Sequence, residues 1–263
     1  MKQLIITADD FGFSEGVTDG ILKSMLEGAV SCTSVMVACG DLERIKEKAL
    51  LIEGRIGLHL QITNGTPFCR PETVKSLVTD QGIFPYNWRQ LKEVDQTELY
   101  QEWQEQIEQL LRLDIVPTYL DTHHNVHRFP AVFEVYIELA KKYDLPVRPL
   151  SKNMLQRYNH LKLQSTDICY ESWCGMNVTP QSFIAHVLGA FRQIGNKGIV
   201  EFMCHPAFAD EQLAKQSLYV KEREAELAVL CDPLIKEYLN KHNIQLLDRV
   251  PFNTKEYAEK SRF

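Results

Sequence analysis

The 263 residues contain no apolar run near the roughly 20 needed to cross a bilayer, so a membrane span is not expected. Acidic residues outnumber basic ones, 35 to 29, for a net charge of -6, and no basic stripe interrupts them. A phosphate backbone would find little to neutralise it, which argues against nucleic acid as a partner. The seven cysteines, Cys32, Cys39, Cys69, Cys169, Cys174, Cys204 and Cys231, form no Cys-x-x-Cys and are odd in number. Most have apolar neighbours. They read as reduced thiols rather than as a disulfide framework or a cysteine-built zinc site. Neither Gly-x-Gly-x-x-Gly nor Gly-x-x-x-x-Gly-Lys-Ser/Thr occurs, so dinucleotide and nucleoside-triphosphate loops are not expected. The opening "MKQLIITADD" meets two acids too soon for a secretory signal, and a cytoplasmic location is expected.

What is present is an alternation of strand-like and helix-like segments, without a fixed-period repeat. Short, nearly continuous apolar runs fall at 3–8, 31–37, 55–62, 118–123, 145–150, 198–204 and 244–248. Runs of this kind suit parallel strands covered on both faces. Amphipathic segments lie between them: one after an N-capping Ser14, with Val17, Ile21, Leu22 and Met25 at helical spacing, and others at 41–52, 97–113, 130–143, 180–194 and 220–231. Pro130 and Pro180 suit first-turn positions. The pattern predicts one α/β domain over 1–263, with about seven parallel strands in an irregular (β/α) barrel. Residues 63–94 and 151–178 break the alternation and read as long loop insertions, a usual place for function.

Chemically capable residues collect at the predicted strand ends. Asp9 and Asp10 end the first run, and His59 lies near the end of the third. Asp121, His123, His124 and His127 end the fourth, Arg148 lies in the fifth, and His205 follows the sixth. In a parallel α/β fold these ends share one face, so five clusters distant in the chain converge. Adjacent aspartates on a strand should point to opposite sides. Burying both is costly unless a cation offsets the charge. In "DTHHNVH", a helix would place His123 and His127 on one face, whereas an extended chain would pair Asp121 with His123. Carboxylate and imidazole ligands suit zinc, manganese, cobalt, iron or magnesium, and an open site of this kind activates water. A second aspartate beside the ligand aspartate could take the proton of that water. Together these features predict metal-assisted hydrolysis.

Four stretches, "TADDFGFSEGVTDGI", "GLHLQITNGTP", "TYLDTHHNVHRFP" and "EFMCHPAFAD", resemble the YdjC-type carbohydrate deacetylases, in the right order and over residues 3 to about 250. The resemblance implies removal of acetyl groups from N-acetylglucosamine units, commonly of diacetylated chitobiose, with one divalent metal ion, Mg2+ or Zn2+. It implies Asp10, His59 and His123 as metal ligands, Asp9 as catalytic base and His205 as the acid. His127, Arg148, Asp121 and His124 would support these groups or touch substrate. It also implies a homodimer. Asn125 stands where relatives often carry a third consecutive histidine, and it cannot relay protons near neutral pH. Tyr86, Trp88, Tyr170 and Trp173 are candidates for stacking on sugar rings. Two other readings share the residue set: a phosphoesterase-like metallohydrolase with His124 and His127 as extra ligands, and a non-catalytic sugar-binding protein.

Overall fold

The computed structural model describes residues 1–91, 93–175 and 178–248. Residues 92, 176–177 and 249–263 lie outside the described residues, and with them parts of both expected insertions and the end of the expected 1–263 domain.

The first apolar run forms β1 (Lys2–Phe11), the longest strand, with Leu4, Ile5 and Ile6 fully buried. It feeds α1 (Glu15–Leu26), where the Ser14 hydroxyl accepts from the Val17 N–H at 3.2 Å and Val17, Ile21, Leu22 and Met25 are buried. There follow β2 (Cys32–Val35), α2 (Leu42–Ala49), β3 (Ile56–Leu60), α3 (Gln96–Arg112), β4 (Leu120–Thr122) and α4 (Pro130–Tyr143). The second half adds α5 (Lys152–Leu161), β5 (Ile168–Tyr170), α6 (Pro180–Gln193), β6 (Gly198–Cys204), α7 (Glu211–Gln216), α8 (Lys221–Leu230), α9 (Pro233–Lys241) and β7 (Ile244–Leu246). All described strand pairs are parallel, in the order β4-β3-β2-β1-β6-β5, with β7 joined to the start of β1. No helix among the described residues is long and apolar enough to cross a membrane.

The sheet curls into the expected irregular barrel, but one stave differs from the sequence reading. Residues 145–150 form no strand. Val147 alone makes bridges, to Leu120 on one side and Ser165 on the other. Pro146 and Pro149 have no N–H to give to a ladder, so only their carbonyls take part. Pro146 O accepts from the Leu120 N–H at 2.8 Å and Pro149 O from the Cys169 N–H at 3.1 Å. This segment spans the gap between β4 and β5. The 151–178 stretch, expected as a loop, holds α5 and β5. Helix α5 buries Tyr158 and packs Met154 and Leu161 against the core, an i, i+4, i+7 spacing that the sequence reading passed over. The 63–94 stretch does run as irregular chain with two short turns, Pro71–Thr73 and Trp88–Gln90. Glu102 on α3 anchors it by accepting from the N–H groups of Phe68 and Cys69, at 3.1 and 2.9 Å.

Candidate metal centre and catalytic cleft

At the end of β1 the side-chain alternation breaks. The register with β2 shifts between Ala8 and Phe11, and Asp10 has φ +77°. Aspartate tolerates this left-handed backbone better than most side chains. The expected opposition of Asp9 and Asp10 is thereby undone, and both carboxylates line one cleft of about 390 Å³.

The two acids have different partners. Asp10 Oδ1 lies 3.4 Å from His59 Nε2 and 3.2 Å from His123 Nδ1. These three buried residues offer ligand atoms within 4.8 Å of one another. Asp9 instead takes two donors from Arg148, Nη1 to Oδ2 and Nη2 to Oδ1, both at 2.7 Å. Arg148 also reaches Asp121 Oδ2 at 2.7 Å and Glu201 Oε1 at 2.8 Å. Asp121 Oδ1 accepts from His59 Nδ1–H at 2.7 Å, which leaves Nε2 turned toward Asp10. A carboxylate behind a histidine in this way fixes its tautomer for metal binding. Asp121 and Arg148 therefore act from behind the cleft wall, and neither lines the cleft.

Four buried carboxyl groups, Asp9, Asp10, Asp121 and Glu201, share the buried guanidiniums of Arg148 and Arg223. Burial opposes ionisation of Asp9, but Arg148 outweighs it and holds the carboxyl below the usual range. Burial likewise opposes Asp10, and Arg223, His123 and His59 together hold it well below. Burial disfavours a charged His59, yet Asp121 and Asp9 push its pKa up to about 10. The pocket thus draws positive charge. His123 Nε2 is buried and has no partner among the described residues. The carboxylate and two imidazoles, the crowding of buried carboxyl groups and this orphan nitrogen all fit a divalent cation held by Asp10, His59 and His123.

The other histidines separate. His124 and Asn125 both have left-handed backbone, φ +56° and +50°, and this kink sends His123 and His127 in different directions. His127 is no ligand candidate in this arrangement. Its Nδ1 meets the Thr122 hydroxyl at 2.7 Å and its Nε2 the Arg148 carbonyl at 3.2 Å, outside the cleft. Neither pairing weighed for "DTHHNVH" describes this turn. His124 is exposed, lines the cleft and meets Thr63 Oγ1 at 3.0 Å, and partial desolvation followed by the neighbouring His123 lowers its pKa. Asn125 donates to Glu171 Oε2 at 2.9 Å on the cleft wall. His205, just past β6, is partly buried and lines the cleft. Burial, then Arg223, lowers its pKa to about 4.

Of the four aromatic candidates, Tyr86 and Trp88 line the cleft. Trp173 is buried against Phe183 and Phe202, and Tyr170 stacks on Phe202 with its hydroxyl on His186, so these two pack the fold. Cys174 is exposed on the cleft, while Cys32, Cys169 and Cys204 are buried. Sequence reasoning passed over Ser34, Glu201, Tyr219, Arg223 and Glu226. Glu201 carried a signal, a lone acid within the apolar run "GIVEFMC". Arg223 and Glu226 carried none, because charged residues three apart on a helix usually face solvent. Here Glu226 is fully buried and accepts from the His205 N–H and the Tyr219 O–H, both at 2.5 Å.

Residues 3–241 match the YdjC-like protein family. A carbohydrate deacetylase of Geobacillus stearothermophilus is 33% identical over 250 residues, covering 94% of this chain and 96% of that protein. A carbohydrate deacetylase of Vibrio cholerae is 32% identical over 249 residues, 94% of each chain. The crystal structure of an Enterococcus faecalis protein described in terms of cellobiose-phosphate cleavage superposes with a TM-score of 0.86 at 30% identity, covering 97% of this chain and 98% of that one. A carbohydrate esterase of Streptococcus mutans shares the fold at a TM-score of 0.52 and 12% identity, over 94% of this chain and 86% of that one. The chain is a member of the YdjC-like protein family.

Proposed function

We propose that the protein is a metal-dependent hydrolase that removes N-acetyl groups from N-acetylglucosamine-containing sugars such as diacetylchitobiose, releasing acetate in the course of chitin breakdown. The observation that carries this reading is the division of labour between neighbouring acids: Asp10 lies against His59 and His123, while both oxygens of Asp9 are held by Arg148. Two similar relatives named carbohydrate deacetylases support the substrate class. A divalent cation, Mg2+ or Zn2+, held by Asp10, His59 and His123, would supply Lewis-acid activation of water and of the acetyl carbonyl.

The chain's own groups do the rest. Arg148 keeps Asp9 ionised and fixed in orientation, so that Asp9 accepts the proton of the attacking water. His205 gives a proton to the departing sugar nitrogen. Its lowered pKa leaves the resting ring neutral near pH 7, so the proton it passes on is the one that Asp9 has taken from the water. Asp121 holds His59 from behind, and Tyr86 and Trp88 offer apolar faces to a sugar ring. The reading includes a cytoplasmic homodimer, as the composition and the resemblance suggest. Of the two histidines offered as extra ligands for a two-metal phosphoesterase, His127 has both ring nitrogens engaged elsewhere.

The test is acetate release, followed by mass spectrometry, from a panel of N-acetylated sugars with the metal-loaded protein. One tightly bound ion per chain and acetate from at least one sugar are expected. Failure with every N-acetylated sugar, or two tightly bound ions, overturns the reading.

A further inference from the structure

Arg223 lies on α8, outside all four sequence motifs, yet it lines the cleft and reaches Asp10. It is only 5% exposed. Nε donates to the Tyr219 carbonyl at 3.0 Å, and Nη2 donates to Asp10 Oδ2 at 2.7 Å. These two bonds fix the plane of the fork. The third nitrogen, Nη1, is buried and has no hydrogen-bond partner among the described residues. Asp10 is thus shared: Oδ1 faces the two histidines and Oδ2 faces Arg223.

A counter-ion for Asp10 would need one N–H, and a lysine would provide it. Holding a full guanidinium in place with one nitrogen unpaired is costly, because a buried charged donor without an acceptor loses its hydration and gains nothing in return. The missing partner is an oxygen, and because Arg223 lines the cleft, a ligand bound there can bring it. On the deacetylase reading, the reacting group carries one oxygen whose charge grows during the reaction, that of the acetyl carbonyl. It ends in acetate, a carboxylate that matches a guanidinium fork.

We propose that Arg223 Nη1 donates to the acyl oxygen of the bound N-acetyl group and afterwards to the carboxylate of product acetate. Arg223 is then a catalytic residue as well as a partner of Asp10. A donor already fixed and shielded from water stabilises the developing oxyanion more than the neutral carbonyl, so its effect falls on kcat. The inference rests on the proposed deacetylase function, and it also extends that function to binding of free acetate.

The experiment compares the metal-loaded wild type with Arg223→Gln and Arg223→Lys. It measures titration with 13C-labelled acetate by NMR, metal affinity by chelator competition, and steady-state kinetics on diacetylchitobiose. Arg223→Lys keeps a positive charge beside Asp10 and guards against loss of folding in the neutral variant. At saturating metal, both variants should bind acetate at least about tenfold more weakly and lose about 10²–10³ in kcat, with KM unchanged and the loss larger than any change in metal affinity explains. Unchanged acetate affinity at saturating metal overturns the proposal. So does a loss of kcat that follows a loss of metal affinity, because Arg223 would then serve Asp10 alone. A wild type that binds acetate but releases none from any sugar sinks the deacetylase reading instead.

Discussion

Arg148 grips both oxygens of Asp9, Nη1 on Oδ2 and Nη2 on Oδ1, each at 2.7 Å, and thereby separates Asp9 from the neighbouring Asp10 in chemistry as well as direction. Asp9→Asn keeps the size of the side chain and removes the carboxylate that would accept a proton. Deacetylation should fall by about 10²–10⁴ while metal content stays at the wild-type value. Turnover of diacetylchitobiose alongside elemental analysis checks both halves. Retained turnover removes Asp9 as base.

His123 and His127 lie four residues apart and do different work, so their alanine variants should differ in kind. His123→Ala removes a group that faces Asp10, and metal per chain after dialysis should drop. His127→Ala leaves the Thr122 hydroxyl and the Arg148 carbonyl without their ring partner. That loss should lower stability by about 1–3 kcal/mol in denaturant unfolding, with metal stoichiometry intact. Equal metal loss in both variants contradicts the assignment.

The strand scaffold and the gathering of the site were legible because both depend on short-range pattern. Continuous apolar runs marked β1, β3 and β6, and polar residues at their ends implied a shared face. What escaped depends on backbone turns and tertiary neighbours. Strand alternation put Asp9 and Asp10 on opposite sides, whereas the left-handed Asp10 and the register shift bring both into the cleft. Helical spacing paired His123 with His127, whereas two left-handed residues between them part the pair. Pro146 and Pro149 stood in an apolar run and prevented the strand that run suggested. Arg223 and Glu226 look like ordinary solvated helix positions until α8 is seen packed beside the cleft.

The aromatic candidates divide by place, and kinetics can show it. Tyr86 and Trp88 line the cleft, so alanine at either should raise KM about two- to twelvefold, as expected for an aromatic contact of about 0.5–1.5 kcal/mol. Trp173 is buried under Phe183 and Phe202. Trp173→Ala should cost about 3–5 kcal/mol of stability and leave KM near the wild-type value. Steady-state kinetics and unfolding curves on the three variants separate the two roles, and an unchanged KM for both Tyr86→Ala and Trp88→Ala excludes stacking.

Glu226 supplies a pH signature of its own. It is fully buried, and burial raises its pKa from 4.5 to about 7, against the opposing hydrogen bonds from Tyr219 and His205. Its folded-state pKa lies above the unfolded value, so the protonated form favours folding. That contribution is complete below about pH 4.5 and is lost as pH rises toward 7. The loss amounts to about 3 kcal/mol for a shift of this size. Glu226→Gln retains an acceptor for the His205 N–H and cannot ionise. The stability difference between wild type and variant, read from urea midpoints of the metal-loaded proteins, should therefore move in favour of the variant as pH rises from 4.5 to 7. Parallel curves through that window show that Glu226 titrates in the folded protein as it does in the unfolded chain.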